Sequence, residues 1–239
     1  MPREKITFEG TKGVTLSARL DKPEGEMRAL VLFAHCFTCG KDLSTINRIA
    51  KRLNDQGIAL FRFDFTGLGH SEGEFSNTNF SSNIGDLIAA ADYLRNEVKA
   101  PDILVGHSLG GAAVLAAAGK IDSIKAVATI AAPCDSAHVL HLFGDQVEEI
   151  RKKGKATVNL AGRTFTIKAQ FIDDVKGIDM KRHIANLNRP LLIMHAPQDK
   201  TVGVENARSI FETARHPKSF VALDGADHLL MEREKDGIF

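Results

Sequence analysis

The stretch from Ile103 to Gly111, ILVGHSLGG, constrains this 239-residue chain more than any other. A short apolar run ends in Gly106-His107-Ser108-Leu109-Gly110, and the alanine-rich AAVLAAAGK follows at once. The pattern reads as a buried strand, a tight turn with a serine at its apex, and a helix with no intervening loop. A Cβ at Gly106 or Gly110 would crowd the strand or the helix, so the glycines let the backbone make that turn. The turn lifts the Ser108 hydroxyl into the open above a helix N-terminus, where amides favour negative charge. G-x-S-x-G alone arises by chance on the order of 0.1 times in a chain of this size. The strand before it and the helix after it make Ser108 a candidate nucleophile.

Such a serine needs an orienting carboxylate and a base, following it in that order. Pro190 to His195 (PLLIMH) reads as another buried strand, with Asp199 just past its end. Ser219 to Leu223 reads as the next strand, and His228 lies in the loop beyond. Both residues therefore fall at the C-terminal edge of a parallel sheet, where ligands collect. His35, His107 and His195 lie in or beside core strands, so packing or a backbone hydrogen bond is their expected role. His138 and His141 are three apart on an expected helix, without an evident third metal ligand, and read as surface or pocket-lining residues. Asp227 adjoins His228 too closely in sequence to orient its ring; Asp224 is the alternative acid to Asp199. Asp64 precedes the serine and reads as a loop organiser.

Stabilising a tetrahedral oxyanion takes two amides, and the one directly after the nucleophile, Leu109, is the first. Leu30 to Ala34 is an earlier strand, followed by His35-Cys36-Phe37, and RFDFTGLGHSEG spans residues 62–73. With the GHSLG turn, these segments resemble the esterase and serine-aminopeptidase-like branches of the α/β-hydrolase superfamily. The resemblance covers nearly the whole chain. It implies an α/β fold with a mostly parallel eight-stranded sheet, helices on both faces and a small cap insertion. It also implies that Phe37 supplies the second oxyanion amide; Cys36 stands where glycine is commoner. AHCFTCGKD together with RFDFTGLGHSEGEF is similar to the hydrolase half of two-domain bacterial proteins, in which an α/β-hydrolase precedes an OsmC-like thiol peroxidase domain. Only Leu229 to Phe239 follows His228, which implies either a brief closing helix or a chain that is the N-terminal domain of a longer polypeptide with a fused OsmC-like domain.

The remaining sequence agrees with one α/β domain over residues 1–239, long enough for a sizeable core. Residues 6–9 and 15–21 alternate as an antiparallel opening, helical periodicity runs over about 43–56 and 83–98, and a strand is expected at 126–130. Between residues 134 and 189 the rhythm breaks. A helix over about 137–153 and a hairpin over 156–167 are expected there, as a cap above the serine. Lys and Arg number 31 against 30 Asp and Glu, interspersed, so neither nucleic acid nor an anionic membrane is an expected partner. Residues 1–6 lack the apolar core of a signal peptide and no stretch reaches transmembrane length, making cytoplasmic residence the expectation. Gly67-Leu68-Gly69 is followed by a polar loop, not the helix a dinucleotide site requires.

Cys36-Phe37-Thr38-Cys39 matches C-x-x-C, but no second such pair exists to complete a zinc site. Its place in the oxyanion loop favours a structural or substrate-contacting role over redox chemistry. Cys134 reads as a buried or pocket-edge thiol. The expected activity is hydrolysis of small to medium carboxylic esters through an acyl-enzyme on Ser108, with no metal or organic cofactor. The same triad would serve a thioesterase, amidase or peptidase. A thiol redox protein using Cys36 and Cys39, and a non-catalytic binding domain, are the alternatives from other classes. With Tyr93 the sole tyrosine and no tryptophan, a large stacking platform for polysaccharide is not expected.

Overall fold

In a computed structural model, which describes residues 3–160 and 162–231, the expected antiparallel opening is present. Strands β1 (Arg3–Glu9) and β2 (Thr15–Asp21) pair from Arg3 opposite Asp21 to Glu9 opposite Thr15. Ile6 and Phe8 of β1 are buried while Lys5, Thr7 and Glu9 face solvent, the period-two pattern of a strand covered on one side. Strand β3 (Ala29–Ala34) is apolar throughout and buried from Leu30 to Ala34, because both of its faces are covered. Helix α1 (Ser44–Asn54) leads to β4 (Ile58–Phe63), α2 (Phe80–Glu97) to β5 (Ile103–His107), and α3 (Leu109–Ala117) to β6 (Ala126–Ile130). Helix α2 begins three residues before its apolar periodicity suggests. Asn79 and Ser82 form a capping box, Asn79 Oδ1 accepting from the Ser82 amide at 2.8 Å and Ser82 Oγ from the Asn79 amide at 2.9 Å.

The insertion that follows β6 departs from expectation. The single helix expected over 137–153 is two: a 3₁₀ stretch, Ser136–Phe143, and α4 (Gln146–Lys153). Gly144 lies between them with φ +50°, a conformation that a side chain would resist. The hairpin is present as β7 (Lys155–Leu160) and β8 (Arg163–Lys168), and Ala156, Val158 and Leu160 turn its apolar face inward. Two further helices then appear, α5 (Ala169–Gly177) and α6 (Met180–Ala185), before the chain returns to the sheet through β9 (Leu191–His195), α7 (Glu205–Thr213) and β10 (Lys218–Ala222).

The eight-stranded sheet runs β1-β2-β4-β3-β5-β6-β9-β10, parallel from β4 onward. Successive side chains of β3 point to opposite faces. Val31 and Phe33 pack with Ile46 and Ala50 of α1 on one side, while Leu30, Leu32 and Ala34 join the larger core with Ile84 and Leu87 of α2 on the other. Helix α3, LGGAAVLAA, is buried at all nine positions; only an all-apolar, small-residue helix fits between the sheet and α2. Strand order reverses at β3, whose neighbours are β4 and β5, and such a reversal opens a crevice beyond the strand C-termini. Among the described residues no helix is long and apolar enough to cross a membrane. Residues 232–239, which carry most of the expected closing segment, lie outside the described residues.

Candidate active site

Ser108 sits in that crevice, between β5 and α3, with φ 55° and ψ −128°. A non-glycine residue held there stores on the order of 1–3 kcal/mol of backbone strain. Surrounding contacts impose it: the Ser108 amide donates to the Ile130 carbonyl at 2.9 Å, and the Ser108 carbonyl accepts from Gly111 at 2.8 Å to start the helix. A Cβ at Gly106 would strike the Gly110 carbonyl, and one at Gly110 would strike the carbonyls of Ala34 and His35. The glycines therefore press the serine turn directly against the loop that follows β3.

Asp199 and His228 converge on this serine from the ends of β9 and β10. His228 Nδ1 lies 2.8 Å from Asp199 Oδ2, and His228 Nε2 lies 3.0 Å from Ser108 Oγ. An ionised carboxylate only accepts hydrogen bonds, so the ring proton is on Nδ1 and the Nε2 lone pair faces the serine hydroxyl. Asp199 is 7% exposed, and burial works against its charge. Hydrogen bonds from His228 and from the Val202 and Thr201 amides outweigh that cost and hold the carboxyl below its usual range. The alternative acids are engaged elsewhere or unbonded to the ring: Asp227 Oδ1 accepts from the Met231 amide, and His228 Nδ1 turns to Asp199, not Asp224.

Three buried histidines brace these loops, in the backbone-bonding roles expected from sequence. His107 Nε2 donates to the His228 carbonyl at 2.7 Å, fixing the His228 backbone from behind. Burial, reinforced by the nearby His228 ring, pushes the His107 pKa down to about 4, so it is a neutral donor near neutral pH. His195 Nε2 donates to the Val202 carbonyl at 2.7 Å, and Val202 in turn holds Asp199. His35 Nδ1 donates to the Cys36 carbonyl at 2.8 Å, and burial lowers its pKa. Asp64 organises its loop as expected, accepting from the Lys41 amide at 2.7 Å, Lys41 Nζ at 2.6 Å and the His70 amide at 3.0 Å.

Phe37, Ser108 and Leu109 meet around a small cavity of about 30 Å³. Leu109 is the first residue of α3, so its amide has no acceptor within the helix. The Phe37 ring stacks on Phe75, Phe143 and Phe171 at centroid distances of 5.6, 6.1 and 5.3 Å, which anchors the loop carrying its amide. Cys36 and Cys39 form a disulfide across this loop, a pairing that the C-x-x-C spacing alone left undecided. His138 and His141 are pocket residues on the 3₁₀ stretch, their rings 4.9 Å apart, with His138 Nε2 donating to the Thr201 carbonyl at 3.1 Å.

A cleft of about 1120 Å³ opens above Ser108 and His228. The cap expected above the serine contributes Leu142, Leu160 and Arg163 to the cleft wall, from the helical stretch and the hairpin that the sequence suggested. Arg163, at the start of β8, donates through Nη2 to the Thr38 carbonyl, joining the cap hairpin to the loop that follows β3. Arg163 also lies over the Phe165 ring, 5.4 Å from its centroid.

Comparison with known proteins identifies the fold and the family. The esterase domain of a Rhodothermus marinus protein is 47% identical in its crystal structure, with a TM-score of 0.78, over 97% of this chain and 92% of that one. The monoglyceride lipase of Mus musculus is 24% identical over 91% of this chain and 81% of its own length. The mitochondrial palmitoyl-protein thioesterase ABHD10 of the same organism is 27% identical over 74% of this chain and 61% of its own. The sequence model of the serine aminopeptidase S33 family matches residues 25–175. The chain therefore belongs to the S33 serine-aminopeptidase-like family and is an α/β hydrolase.

Proposed function

We propose that this hydrolase cleaves carboxylic esters of small to medium size through an acyl-enzyme on Ser108. The observation that carries the reading is the continuous chain from Asp199 through His228 to Ser108, at 2.8 and 3.0 Å, at the foot of the cleft. His228 takes the hydroxyl proton as Ser108 Oγ attacks the ester carbonyl. The amides of Phe37 and Leu109 receive the developing oxyanion, which is worth more in a dry cavity than in water. His228 then protonates the departing alkoxide, and a water activated by the same base releases the acid and restores the serine. Asp199 keeps the ring in the tautomer that accepts the proton and stabilises the imidazolium that results.

Esters are favoured over amides because the relatives named above are an esterase, a lipase and a thioesterase, none of them an amidase, and because an alkoxide leaves more readily than an amide nitrogen. The wall formed by Phe37, Leu142 and Leu160 suits an apolar acyl or alcohol group. A series of p-nitrophenyl esters from acetate to decanoate tests the reading, with acyl thioesters and anilides alongside. Ester turnover lost in Ser108→Ala supports it. Thioester turnover well above ester turnover selects the thioesterase reading that the ABHD10 likeness favours, and activity surviving in Ser108→Ala removes the serine mechanism.

A further inference from the structure

The disulfide lies at a position where chemistry on it reaches the hydrolytic site. Cys36 and Cys39 bracket Phe37 and Thr38, and Phe37 carries one of the two oxyanion amides proposed above. Thr38 has φ +61°, unusual for a β-branched residue, so this turn needs an external restraint to persist. The Cys36 carbonyl accepts from the Cys39 amide at 3.1 Å and from His35 Nδ1 at 2.8 Å, and the disulfide closes the same four-residue turn covalently. Both cysteines line the open cleft; Cys36 is only 4% exposed and Cys39 is half-buried, so Cys39 is the sulfur that a reagent in the cleft reaches.

Resting on the serine-hydrolase reading, we infer that Cys36–Cys39 is a thiol-exchange site for a dithiol reductant, and that its redox state sets the hydrolytic rate through the Phe37 amide. A thiolate of the dithiol attacks Cys39 Sγ, the S–S bond breaks, and Cys36 leaves as a thiolate that takes up a proton. The reductant's second thiolate then attacks the mixed disulfide, closing its own disulfide and releasing Cys39. Two electrons and two protons pass to the protein, and the dithiol is oxidised. In the oxidised state the turn holds the Phe37 amide toward the cavity. In the reduced state the Cys39-to-Cys36 backbone hydrogen bond, the His35 and Arg163 contacts and the aromatic packing of Phe37 still restrain it, without the covalent closure. Removing an oxyanion donor outright costs about 10²–10³ in kcat. A loosened donor that still visits its place costs less, and about tenfold is expected.

The test compares the folded protein in oxidised and reduced dithiothreitol buffers. Alkylation and mass spectrometry count free thiols, and kcat and KM are measured with one p-nitrophenyl ester. The expected result is a kcat about tenfold lower after reduction, with KM changed less than twofold, restored on reoxidation. A Cys36→Ser/Cys39→Ser protein should match the reduced wild type in both buffers. Thermal unfolding of each sample separates slowed chemistry from lost structure. A fully reduced, folded protein that turns over at the oxidised rate overturns the inference, as does a disulfide that resists reduction while the protein is folded. Absence of Ser108-dependent turnover in both redox states overturns the proposed function instead.

Discussion

Replacing Asp199 by Asn changes one oxygen of a buried carboxylate into an amide, and the structure dictates which way that amide must lie. Asp199 Oδ1 accepts from the Thr201 amide at 2.8 Å and the Val202 amide at 3.0 Å, while Oδ2 accepts from His228. If the Asn oxygen replaces Oδ1, both amides keep their acceptor and the NH₂ faces His228. If it replaces Oδ2, the NH₂ faces two N–H donors and leaves them unsatisfied, at about 1–3 kcal/mol each. The first orientation wins by several kcal/mol on that count. It forces His228 to present Nδ1 as an acceptor, so the ring proton moves to Nε2 and Ser108 loses its base. A wrong tautomer of this kind costs a triad about 10⁴ in kcat, equivalent to about 5.5 kcal/mol of barrier. Because both backbone hydrogen bonds survive, thermal stability should change little. Ester hydrolysis at neutral pH, with circular dichroism to confirm folding, gives the answer. A folded Asp199→Asn protein within tenfold of wild-type kcat refutes the assignment of Asp199 as the orienting acid.

Other consequences follow from the same geometry. Ser108→Gly should be more stable than Ser108→Ala by about 1–2 kcal/mol in urea unfolding, since both lack the hydroxyl and only glycine relaxes at φ 55°; equal stabilities would mean that the turn is not strained. Gly110→Ala, whose Cβ meets the Ala34 and His35 carbonyls, should cost about 3 kcal/mol or more and reduce soluble yield, and a wild-type urea midpoint would contradict that packing. His107 has its pKa lowered from 6.5 to about 4, so the unfolded chain takes up its proton first as pH falls. Its stabilising contribution is fully present above pH 6.5 and is lost between 6.5 and about 4, roughly 3 kcal/mol in all. Buried His35 acts in the same direction. Urea midpoints should fall over that interval, and fall less steeply in His107→Gln; a flat profile would mean that His107 is not a buried neutral donor.

The positions of Ser108, Asp199 and His228 were readable because each depends on short-range signals. Apolar runs mark the strands, and the fold puts the loops carrying these three residues at one end of them. Gly106 and Gly110 announced their turn because contacts between backbones exclude a Cβ. The cap was less legible. Helices α5 and α6 are short, and the Phe171, Ile172 and Val175 spacing that marks α5 resembles any loop with a few apolar residues. Asp179, which accepts from the Arg182 amide at 2.9 Å, is the capping signal that marks α6. The break at Gly144 interrupts a run that is otherwise continuously helical in character, and glycine inside a helix is not diagnostic by itself. The disulfide closes a turn in which Thr38 is left-handed, a conformation that the residue type argues against. Arg163 reaches Thr38 across 125 residues, a contact no local pattern encodes.

Labelling by a fluorophosphonate, mapped by mass spectrometry, tests the central claim most directly. The account predicts a single adduct on the peptide containing Ser108, absent in Ser108→Ala, strongly slowed in His228→Ala, and formed in step with loss of ester turnover. A well-folded protein that takes no label, or that hydrolyses esters while labelled or with Ser108 replaced, would contradict it.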